Sequence, residues 1–158
     1  MSNPLPELAP LIQFDTMLLY KHVEGFAGDH WTTRFGESNH ALWIVGHVAC
    51  YRRMMARMLG VTVAEQPWET AFPVKSQPND GDAYDIAELL ADVHAMGELL
   101  VERLMTATED LANSSPPRQT PDGSQTIGGV VRFMQIHEMY HIGQLAFIRG
   151  ALGMEGVR

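Results

Sequence analysis

Four stretches of about twenty residues carry apolar side chains at the three- and four-residue spacing of an amphipathic helix. They cover residues 6–26, 39–59, 85–107 and 126–152, and Asp85 stands where the third helix would be capped. Each apolar stripe must be buried against another element. The pattern therefore predicts an all-α fold in which the stripes pack together as a four-helix bundle. Only VTV at 61–63 has the composition of a short strand fragment.

The connections between these stretches are rich in proline, glycine and polar residues. Residues 27–38 form a short link, whereas residues 61–84 contain three prolines and the turn-like sequence NDGD. Residues 109–125 contain SSPP and PDG. The second connection is long enough to form a crossover along the full length of the bundle between helices two and three. With 158 residues, the chain is expected to form a single domain over residues 1–158.

Charge and composition exclude several classes of partner. The net charge is −8 and the 11 Lys and Arg residues form no run, which argues against nucleic acid as the main partner. No apolar stretch approaches the ~20 residues of a membrane span. The N-terminal sequence MSNPLPELAP lacks the regions of a signal peptide, and the single cysteine, Cys50, allows no internal disulfide. We therefore expect no membrane partner and a cytoplasmic location.

Three histidines lie on apolar seams of two predicted helices. His137 and His141 are four residues apart near the middle of helix four, so their side chains project from one face about a turn apart. His47 lies near the middle of helix two, on its seam. A lone seam histidine is usually a buried residue hydrogen-bonded to a neighbour. Three of them at similar depth predict a metal site in the core, with open positions for water or substrate.

The segment HEMYH at 137–141 matches the H-E-x-x-H signature of zinc proteases, but the rest of that site is missing. Phe147 stands where the metzincin form has its third histidine. The only downstream glutamate is Glu155, beyond the predicted helix end. No candidate exists for the sheet that aligns a peptide substrate. We therefore predict against a protease.

Two segments carry a resemblance to the DinB/YfiT-like family of metalloenzymes. They are NHALWIVGHVA at 39–49 and HEMYHIGQLAFIRGALG at 137–153, which match the family pattern of a W-x-x-x-H or G-H in helix two and H-x-x-x-H-x-G-Q-L in helix four. The resemblance follows the whole chain in helix order and spacing. It implies a four-helix bundle of unusual connectivity, with His47, His137 and His141 as the metal triad. It also implies a homodimer, because members of the family are often dimeric.

The resemblance also suggests a reaction, because characterised relatives include transferases and isomerases that use low-molecular-weight thiols. It implies a thiol-dependent S-transferase or isomerase that acts on a small electrophile, with such a thiol as cosubstrate. The cofactor would be a divalent metal, zinc or nickel first and iron or manganese next. Two alternatives stay open: a metal-dependent hydrolase that uses metal-bound water, and a non-catalytic metal-binding dimer in a stress response. A structural site would need a fourth ligand, for which Cys50 is the local candidate.

Three further polar residues are candidates for roles around this site. Glu138 lies one step, about 100°, round the helix from His137 and would be a general base, a solvated side chain or a salt-bridge partner. Gln144 follows His141 by three residues and would orient a ligand or substrate, or pack between helices. Asp15, on the stripe of helix one, would be a hydrogen-bond partner for a ligating histidine or simple helix-end polarity.

Overall fold

The computed structural model describes residues 3–73, 76 and 84–157, and no strand occurs among them. The helices are α1 (Leu5–Val23), α2 (Ala41–Met58), α3 (Ile86–Thr106), α4 (Glu109–Asn113) and α5 (Ile127–Ala151). The all-α prediction is confirmed, and the four long helices begin and end within three residues of their predicted limits. Residues 61–63 form no strand, and each of the three predicted connections contains a short helix: 3₁₀ helices at Gly28–Trp31 and Pro67–Thr70, and α4 in the third.

Side chains just before the helices fix where three of the long ones begin. Asp85 accepts a hydrogen bond from the backbone N–H of Ala87 at 2.9 Å, as its predicted capping role requires. The Thr126 hydroxyl oxygen caps α5 in the same way, by accepting a hydrogen bond of 3.1 Å from a backbone N–H in the first turn of that helix. His40 caps α2 by accepting from the N–H of Trp43 through its Nδ1 atom at 3.0 Å. These caps satisfy backbone N–H groups of the first turn and so fix where the helices begin.

The long helices pack in a definite set of pairs. Both α1 and α2 pack against α3 and against α5, while α4 packs on α5. Their buried apolar residues form two clusters, one built around Ile44 and Leu145 and the other around Met55 and Leu100. On each contributing helix, the buried polar residues Asp15, Arg52 and Glu138 fall between the two clusters. A polar layer therefore crosses the middle of the core.

Within the part of the chain that the structure describes, no helix is long and apolar enough to cross a bilayer.

Candidate metal centre

The three predicted histidines meet in the core between α2 and α5. One ring nitrogen from each of His47, His137 and His141 lies within 4.8 Å of the others. The Nε2 atoms of His137 and His141 are 3.2 Å apart. Two nitrogens bound to one tetrahedral zinc ion at 2.0–2.1 Å would be about 3.3 Å apart, so this spacing fits a shared ion. The prediction that these residues converge is confirmed.

The orientation of His47 is set by the loop that follows α2. Its Nδ1 atom is 2.8 Å from the carbonyl oxygen of Phe72. Because a carbonyl only accepts, Nδ1 carries the proton and donates it, which leaves the Nε2 lone pair free for a metal. The Trp43 ring stacks on one face of the His47 imidazole; the ring centroids are 4.4 Å apart and the ring planes are inclined by 17°. His47 is therefore fixed both in tautomer and in ring orientation.

Ion pairs hold the segment of chain that delivers the Phe72 carbonyl. Arg57 donates two hydrogen bonds to the Glu69 carboxylate, at 2.6 and 2.8 Å. Arg53 lies 5.3 Å from the centroid of the Trp68 ring. These contacts tie the loop to the outer side of α2. They stabilise the position from which Phe72 reaches His47.

Gln144 orients His141 in the way that the Phe72 carbonyl orients His47. The Gln144 side-chain oxygen lies 2.8 Å from Nδ1 of His141, and its nitrogen donates to the Tyr140 hydroxyl at 3.1 Å. His141 therefore donates from Nδ1 and keeps Nε2 for the cluster. Gln144 orients a histidine that could ligate the ion. Any further part in catalysis stays a prediction.

Burial keeps the donor groups neutral. It lowers the pKa of His47 and of His141 to about 4, and it lowers that of His137 below its ordinary value. Neutral imidazoles are the form that binds zinc, nickel and related divalent ions. Donor type, tautomer and spacing thus all fit a metal ion. Among the described residues, no acidic or cysteine side chain joins the cluster, so three ligands would leave a position open.

Gly46 gives the Phe72 ring the space it needs. A Cβ at this position would lie 2.6 Å from that ring, well inside van der Waals contact. We expect Gly46→Ala to displace Phe72, weaken its contact with His47, lower metal affinity about tenfold or more and cost about 1–3 kcal/mol of stability. Metal competition titrations and urea unfolding would measure both effects. Gly150→Ala is the matched control, because a Cβ there meets nothing within 4 Å; equal behaviour of the two variants would contradict the prediction.

Cys50 is directed away from the histidines. Its thiol lies 3.6 Å from the backbone oxygen of Glu69, on the loop side of α2. Burial raises the pKa of this thiol to about 12, so it remains protonated. The structure therefore gives Cys50 no place as a fourth ligand of the cluster.

Glu138 is engaged by an arginine. Both of its oxygens accept hydrogen bonds from Arg52, and the Arg52 and Glu138 side chains are 0% and 2% exposed. Arg52 also donates to the backbone oxygen of Val93 at 2.6 Å. Gly97 leaves room for this guanidinium, since a Cβ there would lie 2.5 Å from it. Glu138 was predicted to be a general base, a solvated side chain or a salt-bridge partner; the structure shows the salt bridge, and it is buried.

Asp15 completes the polar layer without touching a candidate ligand. Its Oδ2 atom accepts from the Gln135 amide at 3.3 Å, and Oδ1 has no partner among the described residues. Burial raises the pKa of Asp15 to about 7, and the charge of nearby Glu138 adds to the rise, while Gln135 and Arg52 oppose it. The sequence placed Asp15 on the inner stripe correctly. Its contact is with the helix that carries the site, not with a ligating histidine.

The raised pKa of Asp15 predicts a pH-dependent stability. Because the folded value of about 7 lies above the unfolded value near 3.8, stability falls as pH rises from about 4 to 7 and then levels off. Asp15→Asn cannot ionise, so we expect the variant to gain about 2–3 kcal/mol relative to the wild type between pH 5 and pH 8. Urea unfolding at both pH values would measure the change. A constant difference between the two proteins would show that Asp15 titrates normally.

Some residues of this centre could not be found from the sequence. Phe72 acts through its backbone oxygen, which any residue type provides. Arg52 follows Tyr51, which lies on the apolar stripe of α2, but no feature of the sequence indicated that Arg52 would pair with Glu138. The stacking partner Trp43 stood within a quoted motif, and its spacing of four from His47 was the available signal.

Comparison with known families agrees with this geometry. A family model described as the DinB superfamily matches residues 12–145, a segment that includes all three histidines. No curated protein and no solved structure shows a significant match to the chain.

Proposed function

The chain belongs to the DinB superfamily, and on that premise we propose that it is a metal-dependent enzyme whose divalent ion is held by His47, His137 and His141. One observation carries the proposal. Three neutral imidazoles converge with no fourth protein ligand among the described residues, and backbone or side-chain acceptors fix the tautomers of two of them. Such a site keeps a coordination position for a substrate.

We propose a thiol-dependent transfer or isomerisation of a small electrophile as the reaction. A divalent ion in this position would stabilise the thiolate form of a bound thiol at neutral pH. In a transfer, a carbon–sulfur bond forms, the bond to the leaving group breaks, and the thiol proton leaves with that group. The protein residues position the donors: Phe72 and Gln144 hold two imidazoles, and Trp43 covers one face of His47.

Hydrolysis is the less favoured alternative. In that reaction the metal would supply a bound hydroxide, and Glu138 was the candidate general base. Its carboxylate is held by Arg52 inside the core, which supports a structural task instead.

Zinc and nickel suit the three imidazoles best, with iron and manganese next.

The arrangement of helices supports a four-helix bundle with a crossover between α2 and α3. Arg52 reaches the backbone of Val93, while Arg103 donates to the backbone oxygen of Leu59 at 2.8 Å. Later positions of α2 thus meet later positions of α3, so we propose that these helices run parallel. A parallel pair requires the connection between them to return along the full length of the bundle.

A small molecule is the partner that we propose for the open position. Homodimer formation, which the family resemblance implies, stays a prediction. The exposed side chains of Leu11, Phe14 and Met17 give α1 an apolar outer face on which a second copy could pack.

An activity assay would test the proposed reaction directly. Protein loaded with zinc or nickel would be given glutathione, coenzyme A, bacillithiol or mycothiol, each with a reactive aryl halide. We expect thioether formation at least about tenfold faster than with metal-free protein, and loss of that gain in His47→Ala. Thiol-independent hydrolysis of nitrophenyl esters would instead favour the hydrolase. Loaded protein that catalyses neither reaction would favour a non-catalytic site.

A further inference from the structure

The seam between α2 and α5 continues beyond the three histidines. The Tyr51 ring lies 4.5 Å from that of His47 and 4.6 Å from that of His137, measured between centroids. Phe133 stacks on the outer side of His137 at 6.1 Å. Both aromatic rings lie on the side of the cluster toward the end of α2. Tyr51 and Phe133 therefore extend the apolar surface of this seam from the histidines toward the end of α2.

A cavity of about 250 Å³ opens farther along the same seam. Met54 and Met58 of α2 and Val130 of α5 line its inner side, and Pro117 and Arg118 of the connection before α5 line its outer side. The walls of this cavity are therefore apolar with a cationic rim.

Arg118 supplies the charge at that rim. Its Nη1 atom donates to the Met54 sulfur at 3.6 Å, a weak acceptor that leaves most of the guanidinium available. Within the described residues, no carboxylate lies within ion-pair distance of Arg118. The other cation that lines the cavity, Arg57, is already paired with Glu69.

Met54 follows His47 by seven residues on α2, which corresponds to about 10 Å along the helix. We infer that the site selects substrates carrying an oxyanion, a carboxylate or a phosphate, about 10 Å from the atom that reacts at the ion. The oxyanion binds Arg118, and an apolar or aromatic spacer lies against Tyr51 and Met54. This inference rests on the proposed function, because the ion site anchors one end of the ligand. A local cation is needed, since the net charge of −8 repels anions at long range.

Thiols of defined length provide the test. Cobalt-loaded protein would be titrated with 8-mercaptooctanoate, 8-mercaptooctyl phosphate and 8-mercapto-1-octanol, and thiolate-to-cobalt absorption would report binding. We expect at least one of the two anionic thiols to bind about tenfold more tightly than the alcohol. The anion that gains identifies the natural end group. Arg118→Gln should leave the affinity for the short 3-mercaptopropionate unchanged, because its carboxylate cannot span the distance of about 10 Å to Arg118.

Two variants decide whether Arg118 is responsible. Arg118→Gln should remove the preference for the anionic thiol and leave the affinity for the alcohol unchanged. Arg132→Gln, which removes an exposed positive charge from α5, should keep the preference. Equal binding of acid, phosphate and alcohol by the wild type, or an unchanged preference in Arg118→Gln, would overturn the inference.

Failure of the metal site would be recognised separately. If the wild type takes up no cobalt, the proposed ion site is wrong, and if cobalt binds but no thiol produces a band, the proposed thiol chemistry is wrong. Calorimetry of octanoate and octyl phosphate with the metal-free protein would then test whether Arg118 binds the anionic end of the ligand. Binding that Arg118→Gln abolishes would support the anion site, and absence of binding to the wild type would overturn it.

Discussion

Replacing His137 and His141 together with alanine is expected to abolish metal binding. The wild type should retain about one divalent ion per chain after dialysis, and the variant less than about a tenth of that amount. The physical reason is that His47 alone cannot hold an ion in competition with water. Plasma mass spectrometry on untagged protein would measure the content. Added metal should also raise the unfolding temperature of the wild type alone, because an ion that binds only the folded state stabilises it by mass action.

A matched histidine variant controls for unspecific binding. His94 is 59% exposed on α3 and its nearest acidic partner is Glu98, so His94→Ala should keep the full metal content. If the wild type stays metal-free after incubation with zinc, nickel, iron and manganese, the three histidines are core residues only. Equal metal content in the wild type and the double variant would place the ion somewhere else.

Much of this centre follows from helical spacing. His137 and His141 had to share a face because they are four residues apart, and His47 had to face inward because it lies on an apolar stripe. The i,i+4 rule needs no knowledge of other helices. For the same reason, the limits of the long helices were predictable from capping residues and apolar spacing, whereas the five residues of α4 were too few to show a period.

The remaining features depend on segments that meet only in the folded chain. The carbonyl of Phe72 comes from a loop whose path is set by contacts of Arg53 and Arg57, so no spacing from His47 could indicate it. Arg118 lies in a connection that was predicted only as a turn-rich loop. For Glu138, the sequence predicted the position on α5 but not the role of the side chain. That role depends on Arg52, which lies 86 residues earlier in the chain.

Glu138→Gln is expected to lower the free energy of unfolding by about 3–5 kcal/mol, the largest stability effect of any single change considered. The amide cannot neutralise Arg52, and the guanidinium would remain buried in the core without its counter-charge. Urea unfolding of the metal-free protein would measure the loss. Glu98→Gln is the control, since that side chain is 74% exposed and its replacement should change stability by no more than about 0.5 kcal/mol.

A double variant separates a structural role for Glu138 from a catalytic one. Arg52→Met/Glu138→Met removes both charges and fills the space with flexible apolar side chains, so it should regain most of the stability lost in Glu138→Gln. It leaves the three histidines and their hydrogen-bond partners in place, and metal content should stay near one ion per chain. If Glu138 were a catalytic base, the outcome would be the reverse: Glu138→Gln would fold as stably as the wild type, and both variants would lose activity with metal bound. Because the carboxylate lies against Arg52 and is almost fully buried, we expect the double variant to retain the metal-dependent reaction.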